Sequence, residues 1–215
     1  MNFQKSNILY QQILTHLNNI YPKKQNTNFA KKIFTIFLNK KLKINHAANR
    51  WSESDVVMIT YMDTFQEQDK KHIDSLKKFM ELHLKDVISI IHILPYFPYS
   101  SDDGFSVINY LQIKKGFGTW GDIKKLSANF KIMGDLVINH CSSQSDWFKQ
   151  FLNNESPGKK FFHYFKKTFD TTSVTRPRSH ELLQKYKTNR GDKYVWCTFS
   201  RDQIDLDFSN QDVLL

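Results

Sequence analysis

The chain has 215 residues, 40% hydrophobic and 14% aromatic, with 18 Phe; this is enough apolar material for a packed core and argues against disorder. Its formal net charge is +10, but residues 1–50 hold nine Lys/Arg and no Asp or Glu, leaving 22 basic against 21 acidic residues in the remainder. The excess charge therefore belongs to the N-terminal segment, which disfavours a nucleic-acid role for the body of the chain.

No run approaches the roughly 18 apolar residues of a membrane span. The start, Met1-Asn2-Phe3-Gln4-Lys5, lacks the apolar stretch of a signal peptide, so a cytoplasmic location with no membrane association is expected. Cys141 and Cys197 are too few for a disulfide framework, and both are read as free thiols. The spacing of His, Cys and Asp matches no zinc pattern, so no metal is expected.

Apolar residues recur at helical spacing over Ile8–Tyr21 (Ile8, Ile13, Leu17, Ile20) and Asn28–Leu38 (Phe29, Ile33, Ile36, Phe37), with Pro22 between them. This predicts a basic helical extension over residues 1–50, its last stretch, Asn39–Arg50, a polar linker. Val56–Tyr61 is a β-branched run and predicts a buried strand. Gln66–Leu84 predicts a helix with a core face of Ile73, Leu76, Phe79, Met80 and Leu84. Val87–Leu94 is almost continuously apolar, the pattern of a strand covered on both faces. A Pro- and Gly-containing loop follows, then a helix over Trp120–Phe130 and a strand over Ile132–Ile138.

The alternation of strand and helix predicts an α/β fold with a parallel sheet over residues 51–140. Residues 141–200 are polar, aromatic and Lys-rich, with one short apolar run at Tyr194–Cys197, and predict a subdomain inserted after the third strand. Residues 201–215 predict a return to the main domain, with a helix beginning within Asp205–Leu215.

Three polar clusters stand out. Ser100-Ser101-Asp102-Asp103-Gly104-Phe105 follows the second strand, Asn139-His140 follows the third, and Gln203-Ile204-Asp205-Leu206-Asp207 closes the insertion. Parallel neighbouring strands would bring them to one rim of the sheet, where α/β proteins place their chemistry. Carboxylates, amides, an imidazole and aromatics together suit a sugar, which needs many hydrogen bonds and an aromatic wall. Taken singly, each cluster is weak: Asp102-Asp103-Gly104 is a turn signal, and His92 and Trp196 read as core residues.

The order of these motifs resembles the α-amylase superfamily, glycoside hydrolase family 13, in its sucrose phosphorylase and glucosylglycerate phosphorylase branch. The resemblance is carried by Val56–Tyr61, His92-Ile93-Leu94-Pro95 through Asp102-Asp103-Gly104-Phe105-Ser106-Val107-Ile108, and Gly118-Thr119-Trp120. It continues through Asp135–His140, Thr175-Arg176-Pro177-Arg178, Val195–Ser200 and Gln203-Ile204-Asp205-Leu206. It implies the N-terminal part of a (β/α)8 barrel, with a subdomain inserted after the third strand. It also implies retaining transfer of a glucosyl unit from a sucrose- or glucosylglycerate-type donor to inorganic phosphate as co-substrate, with no cofactor.

By resemblance, Asp102 would bond the glucosyl hydroxyls, Phe105 would pack on the ring and His140 would contact the same sugar. Asp135 and Asn139 would hold the local geometry. Arg178 would face phosphate or an anionic acceptor, and Gln203 the acceptor side.

Two departures stand out. Asn109 occupies a position where the family usually carries Asp. The family's nucleophile, in an Arg-x-Asp motif, and its acid/base Glu are expected beyond Leu215, so no catalytic residue is assigned within the chain and the 215 residues alone are expected to be inactive. Two other readings compete: a non-catalytic carbohydrate-binding remnant, and a basic adaptor that binds an anionic partner through residues 1–50. Open sheet edges would also favour self-association.

Overall fold

The computed structural model describes residues 3–39 and 51–215; most of the expected linker, residues 40–50, lies outside the described residues. The chain forms two compact units, one of which joins Phe208–Leu215 to the N-terminal helices, while the other is Trp51–Asp207. The segment expected to return to the main domain thus divides at Asp207.

In the first unit, helices α1 (Phe3–Ile20) and α2 (Thr27–Asn39) pack as a hairpin. Its core is Leu17, Tyr21, Phe29 and Ala30, flanked by Tyr10, Ile13, Leu14 and Ile33. The apolar stripe is narrower than its periodicity suggests: Ile8, Ile20, Ile36 and Phe37, all read as core-facing, are exposed. Asn26 is buried between the helices and donates from Nδ2 to the carbonyls of Leu17 and Tyr21, which also accept the Tyr21 and Lys24 amides, so its side chain pins the turn to the end of α1.

In the second unit, strands β1 (Val57–Thr60), β2 (Ile90–Ile93) and β3 (Lys131–Gly134) form a parallel sheet in that order. Val57 pairs with Ile90 and Ile90 with Lys131; Thr60, Ile93 and Gly134 align at the far end. Helices α3 (His72–His83) and α4 (Trp120–Leu126) connect them.

Both helices are shorter than their apolar patterns. The Gln66–Lys71 stretch is turn, because the amides of His72 and Ile73 donate to the carbonyls of Gly116 and Phe117 and fix where α3 starts. Thr119 and Asp122 cap α4 reciprocally, and the Lys71 ammonium and the Thr119 hydroxyl on Asp122 hold its carboxyl well below the usual range.

Ile91 and Ile93 are fully buried against Ile73, Leu76, Met80, Leu126 and Phe130. Among the described residues the opposite face of the sheet is open: Val57, Ile59 and Met133 are exposed by 45%, 63% and 45%. The apolar pattern of Val87–Leu94 suits cover on both faces, and among the described residues one face is covered. Alternate residues of β2 are buried and the others partly wet, because helices cover only one side. The third strand is also shorter than the expected Ile132–Ile138: it stops at Gly134, and Leu136 and Ile138 face solvent.

The inserted region holds more sheet than its composition suggests. Strand β4 (His140–Ser142) leads to α5 (Asp146–Asn153), then β5 (Tyr164–Phe165), β6 (Leu183–Thr188), β7 (Gly191–Trp196) and β8 (Gln203–Asp205). β5, β7 and β6 make one antiparallel sheet in that order. β4 and β8 close the insertion as an antiparallel ribbon that pairs His140 with Asp205 and Ser142 with Gln203.

An aromatic cluster of Phe148, Phe151, Phe162 and Tyr186 joins α5 to this region. A last short helix, α6 (Gln211–Leu214), belongs to the first unit. Among the described residues no helix is long and apolar enough to cross a membrane.

Candidate functional site

Three segments meet beyond the C-terminal ends of β2 and β3. The loop after β2 turns sharply at Asp102-Asp103-Gly104, with φ of 56°, 48° and 110°. A Cβ at Gly104 would lie 2.5 Å from the Pro95 carbonyl oxygen, so the turn folds tightly back onto the loop's own start. This geometry leaves Asp102 exposed at the tip, where its carboxylate accepts from Gln203 Nε2 at 2.8 Å.

His140, 4% exposed, is held from both ring nitrogens. Asn139 Nδ2 donates to Nδ1 at 2.8 Å, which puts the ring proton on Nε2, and Nε2 donates to the Phe105 carbonyl at 2.9 Å. Gln203 Nε2 stands 3.2 Å from the same nitrogen; one of its protons goes to Asp102, and a protonated Nε2 offers no acceptor to the other, so the approach to His140 is one of packing. The Phe199 ring lies 5.1 Å from the imidazole, and the Tyr110 hydroxyl donates to the His140 carbonyl at 2.7 Å.

Burial lowers the His140 pKa, against the Phe105 carbonyl and the charges of Asp205 and Asp102, which favour the cation. Asp205 sits opposite His140 in the ribbon and accepts from the Thr198 amide and hydroxyl, both at 2.7 Å; burial nonetheless raises its pKa.

Of the seven residues singled out in the sequence, Asp102, Phe105, Asn139, His140 and Gln203 thus come together. Asp135 leaves the end of β3 in a different direction and takes His92 Nε2 at 3.2 Å. His92, read as a core residue, instead points to the open face of the sheet, with its side chain 19% exposed. Alternation along β2 buries Ile91 and Ile93 and turns His92 the other way. Trp196 is only half-buried, its indole N–H donating to Thr198 Oγ1.

Arg178 is exposed, donates to the Pro177 carbonyl at 2.8 Å and lies over the Phe199 ring at 5.7 Å. The Phe199 ring thus neighbours both the guanidinium and the His140 imidazole. The structural arginine of this loop is Arg176, which donates to the carbonyls of Thr198 and His180.

Sequence reasoning passed over Asp202. Its carboxylate accepts from the hydroxyls of Ser101 (2.6 Å), Ser106 (2.9 Å), Ser100 and Ser143. Burial acts against the anion, but the four hydroxyls outweigh it and hold the carboxyl below the usual range. The available signal was compositional: five serines, at 100, 101, 106, 142 and 143, flank the two loops that precede Asp202 in the fold.

A parallel sheet with helices on one face and a polar rim at its C-terminal end is part of a TIM-type barrel. Residues 59–214 match the family model described as "Alpha amylase, catalytic domain", and the chain belongs to that family. It is 38% identical over 207 residues to a glucosylglycerate phosphorylase of Escherichia coli (strain K12), covering 95% of this chain and 37% of that protein. A glucosylglycerate phosphorylase of Spirochaeta thermophila is 42% identical over 162 residues, covering 75% of this chain and 28% of that protein.

The crystal structure of sucrose 6F-phosphate phosphorylase from Thermoanaerobacter thermosaccharolyticum superposes with a TM-score of 0.69 at 32% identity, covering 79% of this chain and 37% of that one. The chain thus spans about a third of the length of the relatives it matches.

Proposed function

We propose that these residues form the sugar-recognition part of a retaining glucosyl phosphorylase, which moves glucosyl from a sucrose- or glucosylglycerate-type donor to inorganic phosphate and yields glucose 1-phosphate. The observation that carries the reading is the convergence at the rim of Asp102, hydrogen-bonded to Gln203, with the buried His140, hydrogen-bonded to the Phe105 carbonyl. Asp102 offers an exposed anionic acceptor for sugar hydroxyls, while His140 is held rigid and neutral beside it. The similarity to glucosylglycerate phosphorylases supports the choice of phosphate as acceptor.

In this reading Arg178, an exposed guanidinium on an aromatic ring, meets phosphate or an anionic acceptor. Cleavage needs a nucleophile and an acid at the anomeric carbon. We assign neither to residues 1–215, so turnover would require carboxylates from outside them. The soluble, cytoplasmic setting of such an enzyme belongs to the same proposal, as does self-association through the open face of β1–β3.

The test is a phosphate-dependent glucose 1-phosphate assay on the 215-residue chain with sucrose and with glucosylglycerate, beside a D-glucose binding titration. The expected result is binding without turnover. Turnover by the chain alone would overturn the division of roles, and absence of glucose binding would overturn the sugar reading.

A further inference from the structure

The Asp202 cluster ties together the three segments that build the rim. Ser100, Ser101 and Ser106 come from the loop that carries Asp102 and Phe105; Ser143 follows β4; Asp202 directly precedes Gln203 in β8. The backbone reinforces the junction. The Ser143 amide donates to the Asp202 carbonyl at 2.9 Å, and Ser106 Oγ lies 2.8 Å from the same oxygen.

Proton direction in the cluster follows from its donors. The Gln144 amide donates to Ser142 Oγ, which frees the Ser142 hydroxyl to donate to Ser100 Oγ, and Ser100 in turn donates to Asp202. Each serine has one proton, and four of them point at one carboxylate, which alone can accept them all. A neutral amide of the same shape would present an N–H₂ group to those hydroxyls.

We propose that Asp202 is the positioning residue of the rim: as an anion it locks the Ser100–Ser106 loop to β4 and β8, and so fixes where Asp102, the Phe105 carbonyl and Gln203 stand. The inference deepens the sugar reading and rests on it for its binding arm; the loop-locking arm stands without it.

The test is amide hydrogen exchange and D-glucose titration on the 215-residue chain carrying Asp202→Asn, with Ile91→Val as a control for general loss of stability. The Ser143 amide donates across the junction to the Asp202 carbonyl, while those of Ser100 and Ser106 donate within the loop, to the Ser106 and Ser101 carbonyls, so the three report the lock and the loop it holds. In Asp202→Asn they are expected to exchange at least about tenfold faster, with the amides of β1–β3 unchanged and the glucose Kd raised about tenfold or more. In Ile91→Val the glucose Kd is expected to stay at the wild-type value.

Unchanged exchange at the three amides, or acceleration spread equally over β1–β3, would overturn the proposal; so would a glucose Kd unaltered in Asp202→Asn. If the wild-type chain does not bind glucose, the sugar reading falls and the exchange pattern alone decides whether Asp202 locks the loop. If Asp202→Asn does not fold, the double variant Ser101→Ala/Ser143→Ala removes one donor from each loop and is expected to give the same local pattern.

Discussion

Three glycines separate the two physical terms that fix the turn carrying Asp102. Gly104 has φ of +110°, and an added Cβ would meet the Pro95 carbonyl oxygen at 2.5 Å. Gly116 has φ of +88° with nothing within 4 Å of an added Cβ, so it reports conformation alone. Gly158 has no positive φ, but its added Cβ would lie 2.2 Å from the Trp147 carbonyl oxygen, so it reports contact alone.

A disfavoured φ costs about 1–3 kcal/mol. Forcing an atom into a packed site costs about the same again. The sum for Gly104→Ala is roughly 2–6 kcal/mol, against roughly 1–3 for either other variant. With about 2–4 °C per kcal/mol in a domain of this size, Gly104→Ala should lower Tm by roughly 5–20 °C.

All four Trp residues (51, 120, 147 and 196) lie within Trp51–Asp207, so tryptophan fluorescence follows that unit specifically. A Gly104→Ala loss no larger than that of Gly116→Ala would refute the close approach to Pro95, and with it the reason Asp102 stands where it does. A harmless Gly158→Ala would refute the contact term itself.

Two further outcomes follow from buried groups. Burial pushes the Cys141 and Cys197 thiols up to about 12, so a thiol reagent at pH 8 should label neither until the chain unfolds; labelling in the native state would contradict their placement. His140 has a folded pKa below its unfolded value of about 6.5, so the unfolded chain binds more protons between the two. Stability should rise as pH rises through that window and fall as pH drops from about 6.5 towards the folded value. His140→Gln should remove this slope from urea-unfolding curves, and an unchanged slope would show that another group sets it.

The sequence reading located the parallel sheet and both crossover helices because each carries its own apolar period. Where it failed, the deciding contact was distant in sequence. His92 looked like core inside an apolar run, yet the strand's alternation, together with a sheet covered on one side, turns it towards Asp135. β6 and β7 were hidden by their lysines: Lys185, Lys187 and Lys193 interrupt the apolar pattern because those strands have one solvated face.

Motif order singled out Asp102, Asn139, His140 and Gln203, but their bonding was not legible. Nothing local tells that Gln203 reaches Asp102, 101 residues away, or that Asp202 gathers serines from two earlier loops. Asp135 and Arg178 carry the same lesson. Their residue types suit the rim, and their side chains take other partners, His92 in one case and Phe199 in the other.

Recognition of a glucosyl unit by the proposed Asp102–His140–Gln203 rim can be read from a ligand-observed NMR titration of the 215-residue chain with D-glucose. Saturable binding is expected, lost in Asp102→Ala and in His140→Ala, and kept in Lys149→Ala, which alters only an exposed helix pair on α5. Binding unchanged by both rim substitutions would contradict it.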